Sequence, residues 1–167
     1  MQENLLAVAM RGAIILAAVA VPVNTQAADQ DGVREWSNDE LKRTFSQLLS
    51  EANRSEIGGA VEQIVKMPTH SIFLASKDKP AKEVSELHEH NVDIFVVKEG
   101  GGTLQLGGEI VEPTSSEPGE IRGTGIRGGQ MLKVSAGDII YIPKNTPHLW
   151  HFNDGQYVYY IAVKATE

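Results

Sequence analysis

The alternation of apolar and polar positions changes character along this chain. Residues 12–23 read GAIILAAVAVPV, an uncharged apolar run. Residues 29–35 are polar and contain a glycine, which suits a flexible lead. From Leu41 onward, apolar residues recur every three or four positions (Leu41, Phe45, Leu48, Leu49, Ala52), with Lys42, Arg43, Gln47 and Glu51 on the other positions. That spacing predicts an amphipathic helix whose stripe packs on the main domain. Ser37 and Glu40, three residues apart before the stripe, supply a capping box in which hydroxyl and carboxylate satisfy first-turn amides reciprocally.

Beyond Gly58-Gly59 the pattern turns to short runs of alternating or β-branched residues between turn residues. This rhythm predicts strands near residues 61–66, 71–76, 83–90, 94–98, 102–106, 109–111, 130–134, 138–142, 148–152 and 157–163. Gly107-Gly108 reads as a two-residue hairpin turn between 102–106 and 109–111, because such turns need positive φ. Residues 112–129 carry Pro, Ser and Gly with only Ile121 and Ile126 as apolar anchors, and read as a long functional loop. Within it, Gly123-Thr124-Gly125-Ile126-Arg127-Gly128 spells a dinucleotide-binding fingerprint. No strand leads into it, and Gly128-Gly129 stands where a helix would begin, so dinucleotide binding is set aside.

Composition narrows the class. The 167 residues are 41% hydrophobic and 22% charged, which suits one globular domain. The net charge of −7 offers no cationic field for phosphate backbones, so nucleic acid is not an expected partner. With no cysteine, disulfides, thiolate zinc sites and cysteine nucleophiles are excluded. Arg11 precedes the apolar run, and Thr25 and Ala27 follow it as a small-x-small pair, which reads as a signal peptide over residues 1–27 cleaved near Ala27. The competing reading is a retained anchor, but the nineteen residues from Leu5 to Val23 are broken by Arg11 and are marginal against the roughly 20 a span needs. The expectation is an exported protein, periplasmic or secreted, without stable membrane association after cleavage. Residues 28–57 then form the lead and helix, and 58–165 the β domain.

Candidate chemistry rests on histidines. On a strand, His88 and His90 project to one side with Glu89 opposite, so two imidazoles converge. Asp93 lies close by, and a carboxylate beside imidazoles suits a divalent first-row metal. His148 follows the rigid turn Pro143-Lys144-Asn145-Thr146-Pro147 and can face the first pair. His151 is expected to face away from His148, and His70 to be an ordinary strand-end residue.

Two segments carry a family resemblance. SELHEHNVDIFVVKEGGGTLQLGG, residues 85–108, resembles the first cupin motif, and GDIIYIPKNTPHLWHFN, residues 137–153, resembles the second. In the second, Gly137, Pro143, Asn145 and His148 stand at the glycine, proline, glycine and histidine positions, with asparagine replacing the second glycine. The resemblance implies an all-β fold, a cupin-like double-stranded β-helix or jelly-roll barrel with one N-terminal amphipathic helix. It implies His88, His90, Asp93 and His148 as metal ligands. Asp93 takes a position commonly held by glutamate and is one methylene shorter, a reach reduced by about 1.5 Å. It binds directly, acts through water, or orients a histidine.

Such a site leaves coordination positions open to water, oxygen or a chelating molecule. Phe95 and Val97 after Asp93, and Trp150 and Phe152 on the face of His148, suit either an apolar wall around it or, as is commoner for aromatics, plain packing of the barrel core, and either Tyr159 or Tyr160 faces the interior. The function expected is a metal-binding exported protein, an oxygenase, isomerase or lyase acting on a small oxygenated molecule, with iron, manganese, zinc and nickel equally compatible. The alternatives are a non-catalytic module that binds or senses a small ligand, and a structural barrel that forms a homodimer through its sheet edges. Fold sharing does not choose among them.

Overall fold

A computed structural model describes residues 33–167; the apolar run at 12–23 and the cleavage point near Ala27 lie outside the described residues. One helix, α1 (Asn38–Ala52), precedes twelve strands: β1 (Gly59–Lys66), β2 (His70–Asp78), β3 (Ser85–His88), β4 (Asn91–Leu106), β5 (Glu109–Val111), β6 (Thr114–Glu117), β7 (Glu120–Gly123), β8 (Gly125–Arg127), β9 (Gln130–Ser135), β10 (Ile139–Ile142), β11 (His148–His151) and β12 (Tyr157–Thr166). No helix among the described residues is long and apolar enough to cross a membrane.

The capping box forms as the sequence predicts. Glu40 N–H donates to Ser37 Oγ at 3.3 Å, and Ser37 N–H donates to the Glu40 carboxylate at 2.8 Å. The helix lays Phe45 and Leu48 on Leu74 and Tyr159, and the Phe45 and Tyr159 rings stack with centroids 5.2 Å apart. This second core lies outside the barrel wall. Alternation along the strands separates the two: Leu74 and Tyr159 face the helix, while Ala75, Val158 and Tyr160 join the barrel interior with Phe95, Val97, Leu104 and Trp150. The period of two thus sends Tyr160 inward and Tyr159 outward.

The strands curl into a jelly-roll-type barrel of antiparallel pairs. One side runs β1-β2-β12-β4-β10 and the other β6-β7-β3-β11-β4-β9, so the sixteen-residue β4 belongs to both. The sequence predicts two strands over 94–98 and 102–106. They are one bent strand, with Gly100-Gly101-Gly102 at the bend. Gly100 has φ +72°, and a Cβ at Gly101 would lie 2.3 Å from the Val134 carbonyl oxygen, so the strand turns the barrel's corner where side chains do not fit.

Three local expectations are corrected. Residues 112–129 are not a loop: β6, β7 and β8 form there because β7 finds β3 as a partner and β8 finds β5, pairings invisible to local pattern. Gly107-Gly108 does take positive φ at both positions, but it turns a corner rather than closing a hairpin, since β5 pairs with β8. The strand expected over 83–90 ends at His88, and Glu89 and His90 form a bend. This last difference bears directly on the site.

Candidate metal centre

β3 carries two chemistry-bearing side chains at period two, Glu86 and His88. In antiparallel pairing, directly opposed residues put their side chains on the same face. The register opposes Glu86 to Arg122 and His88 to Glu120 on β7, and Glu86 to His148 on β11. Arg122, Glu86 and His148 therefore form one row across three strands. Asp93, early on β4, stands opposite Lys164 of β12 and brings a carboxylate to the same place.

The donor atoms converge. His88, His148 and Glu86 each offer a ligand atom, all within 4.8 Å of one another. His88 Nε2 lies 3.1 Å from Asp93 Oδ2 and 3.9 Å from Glu86 Oε2, and Asp93 Oδ2 lies 3.6 Å from His148 Nε2. Ligands about 2.1 Å from a common ion stand roughly 3.0 Å apart in cis octahedral and roughly 3.4 Å in tetrahedral geometry. The 3.1 and 3.6 Å separations lie near those values, while the 3.9 Å from His88 Nε2 to Glu86 Oε2 is wider than either.

The opposite ring nitrogens are tied off as metal-binding imidazoles require. His88 Nδ1 is 2.8 Å from Glu120 Oε2, and His148 Nδ1 is 3.2 Å from the Thr146 carbonyl. His88 Nδ1 also lies 3.2 Å from Lys164 Nζ, and with the Nδ1 atoms turned to these groups both Nε2 atoms face Asp93 Oδ2. The turn before β11 is locked to the same place: Asn145 N–H donates to the His88 carbonyl at 2.8 Å. Asn145 holds φ +60°, a left-handed conformation that asparagine tolerates where glycine is the usual solution.

Three cations surround the carboxylates. Lys77 Nζ lies 3.1 Å from Glu86 Oε1, Lys164 Nζ 3.2 Å from Glu120 Oε1, and the Arg122 guanidinium 3.2 Å from Glu120 and 3.7 Å from Glu86. Burial alone would raise the Glu86 carboxyl, yet the Lys77 and Arg122 charges hold it well below the usual carboxylate range. Against the same burial effect, the His88 hydrogen bond and then the neighbouring charges hold Glu120 at about 2. The two imidazoles diverge. Burial disfavours the charged form of His88, but its bonds to Asp93 and Glu120 outweigh that and raise its pKa; burial dominates at His148 and lowers it. Burial likewise pushes Tyr160 up to about 12, so its phenol stays protonated.

Of the sequence-predicted ligands, His88, Asp93 and His148 come together, each only 3–4% exposed. His90 does not. It lies exposed in the bend after β3, against Gly119 in the β6–β7 turn, because the strand that would have kept it in phase with His88 has ended. Its place beside His88 is taken by Glu86, two residues earlier rather than later. Period two from His88 points to both neighbours; only the strand's end chooses between them. Glu120 was hidden in the segment expected to be a loop. His151 is held apart by Gln105 at 2.8 Å and Glu83 at 3.3 Å. Phe95, Val97 and Trp150 are buried in the barrel core, with Phe152 packed against them.

A cavity of about 240 Å³ lies elsewhere, between Leu41 and Phe45 of the helix and Lys98, Glu99 and Tyr159 of the barrel wall. It contains none of the candidate ligands. Tyr159 faces away from the interior that Tyr160 enters, so this hollow is a seam of helix packing.

No protein-family model and no curated protein sequence matches the chain. The solved structures it resembles are cupin domains and related barrels. The Schizosaccharomyces pombe Cnp3 cupin domain superposes with a TM-score of 0.49 at 10% identity, over 65% of this chain and 65% of that one. Streptomyces Pac13, described as a nucleoside dehydratase and solved with uridine, gives 0.47 at 13% identity over 67% and 72%. A cupin 2 conserved barrel domain protein from Rhodopseudomonas palustris gives 0.45 at 17% identity over 65% and 61%. The chain thus spans under two thirds of the length of the first and third of these. The likeness is one of fold.

Proposed function

We propose that this chain is an exported, metal-binding protein of the cupin type, with Glu86, His88 and His148 holding a divalent ion and Asp93 as the fourth donor. The observation that carries this reading is the gathering of ligand atoms from Glu86, His88 and His148 within 4.8 Å of one another, with Asp93 Oδ2 near both Nε2 atoms and both Nδ1 atoms turned to acceptors. A first-row ion held this way would supply Lewis-acid or redox chemistry to a small oxygenated molecule, in an oxygenase, isomerase or lyase reaction. The protein's own groups have distinct parts. Glu120 and the Thr146 carbonyl set the imidazole tautomers, Lys77 and Arg122 keep Glu86 anionic, and Phe95, Trp150 and Tyr160 exclude water.

The test is elemental analysis of the mature protein from its native compartment, together with His148→Ala. One ion per chain, lost in the variant with folding intact by circular dichroism, supports the reading; a metal-free protein whose stability is indifferent to added iron, manganese, zinc or nickel ends it. A specific observation favours a second reading, a non-catalytic module for a small ligand. The carboxylates Glu86, Asp93 and Glu120 face the cations Lys77, Arg122 and Lys164, which leaves no acid or base set apart for proton transfer. Turnover of any substrate that vanishes in folded His88→Ala would reject that alternative.

A further inference from the structure

β9 and β10 are two parts of one edge. β9 runs antiparallel to β4 from Leu106 to Gly101, and β10 continues along β4 from Val96 to Asp93, so residues 130–142 border both sides of the barrel in a single bent line. Among the described residues, no strand pairs with the far side of that line. Edges of this kind are normally guarded by charge, proline, a bulge or a covering element, because their free backbone groups invite another strand. Here the charges are Lys133 and Asp138 alone and proline is absent. Met131, Leu132, Ile139 and Tyr141 stand 60%, 41%, 71% and 56% exposed. At about 200 Å² for a fully exposed large side chain, these four leave about 450 Å² of apolar side chain open.

The edge is complementary to itself. Period two sends Val134, Ile140 and Ile142 into the barrel core and leaves Met131, Lys133, Ile139 and Tyr141 on the outer face. A two-fold axis through Ala136, pointing outward from the barrel, lays two copies end to end with their edges antiparallel and their outer faces on the same side. Residues equally far from position 136 then stand opposite one another. Met131 meets Tyr141 of the second copy, Leu132 meets Ile140, and Ile139 lies on the methylene stem of Lys133. Each contact recurs by symmetry, as an isologous interface requires. Charge agrees with this partner: residues 130–142 are neutral in a chain of net charge −7, and Lys133 stands one position from Asp138 of the second copy. Interfaces are about 60% apolar, so one built on this strip would bury about 750 Å² per copy, close to the roughly 800 Å² of a standard stable interface.

We infer that the protein is a homodimer whose β9–β10 edges pair antiparallel about a two-fold axis at Ala136, joining the sheets of one barrel to those of the other. This goes beyond the metal reading above and does not depend on it.

The test is sedimentation of the mature chain, once with a chelator and once with zinc; a dimer is expected in both. Ile139→Lys sets an ammonium opposite Lys133 of the second copy and should weaken dimerisation at least about tenfold, with the far-ultraviolet circular dichroism unchanged because the replaced side chain is mostly exposed. Adding Lys133→Glu to that variant should restore the dimer, which a contact elsewhere on the surface would not do. The chain has no cysteine, so a single introduced thiol reports cleanly. Under mild oxidation Ala136→Cys, at an exposed position on the axis, should give a disulfide-linked dimer, and Ser116→Cys on the exposed β6 edge should not. A monomer at about 100 μM, a dimer indifferent to Ile139→Lys, or cross-linking through Ser116→Cys in place of Ala136→Cys would overturn the inference.

Discussion

Replacing Glu86 with glutamine keeps the shape of the side chain and removes its charge. Glu86 Oε1 lies 3.1 Å from Lys77 Nζ, and the two side chains are only 26% and 20% exposed. At an effective dielectric of about 20, that separation corresponds to about 5 kcal/mol of gross attraction. Part of this offsets the desolvation of the two groups, and removing one partner of a buried pair typically costs about 3–5 kcal/mol because the other charge is stranded. We expect the metal-free Glu86→Gln protein to lose about 3 kcal/mol at pH 7, read from urea denaturation in the presence of a chelator. The loss should shrink in acid. Glu86 titrates well below its ordinary value in the folded protein, so its contribution is fully present above pH 4.5 and fades as pH falls through the folded pKa. Wild type and variant should therefore converge only once pH has fallen through that depressed folded value. Adding metal should widen the neutral-pH gap, because only the wild type gains the full stabilisation of a bound ion. A variant as stable as wild type at pH 7, with and without metal, would refute both the buried pair and the assignment of Glu86 to the centre.

Other expectations follow from the same contacts. In the metal-free protein, imidazole NMR should find His88 titrating above 6.5 and His148 below it, and Glu120→Gln should move His88 down; the reverse order would contradict the network. Because His88 has its pKa raised, its bonds to Asp93 and Glu120 stabilise the metal-free fold below pH 6.5, and that contribution is lost as pH rises through the folded value. Metal binding must displace that proton, so affinity should rise with pH across the same interval; a flat dependence from pH 6 to pH 8 by calorimetry would argue against His88 as a ligand. Ser37→Ala removes the helix cap and should cost about 1 kcal/mol by thermal or chemical denaturation, with metal content unchanged. At Gly123 a Cβ would stand 2.2 Å from Ile110 Cγ2 and 2.4 Å from the Val111 carbonyl, so Gly123→Ala should destabilise by about 1–3 kcal/mol as β7 is pushed off β5, and wild-type stability would show the two are not locked together.

Much of this protein is legible along the chain because its causes are local. The Ser37–Glu40 capping box and the three-to-four spacing of Leu41, Phe45 and Leu48 define a helix from side chains within reach of one another. Period-two alternation separates Tyr159 from Tyr160 and places Phe95, Val97 and Trp150 on inner faces, and it marks His88 and His148 as inward residues. The spacing of glycine, proline and histidine in residues 137–153 identifies the turn that carries His148. Tertiary structure decided the rest. Whether Glu86 or His90 stands with His88 depends on where β3 stops, and β3 stops at His88, opposite Glu120, where its partner β7 begins after the β6–β7 turn. Glu120 and Arg122 belong to the centre only because β7, in a segment without an apolar pattern of its own, is drawn into a strand by pairing with β3. Partner and register are settled between residues thirty or more positions apart, where no local preference reaches, and in this barrel they determine which charges share the space between two imidazoles.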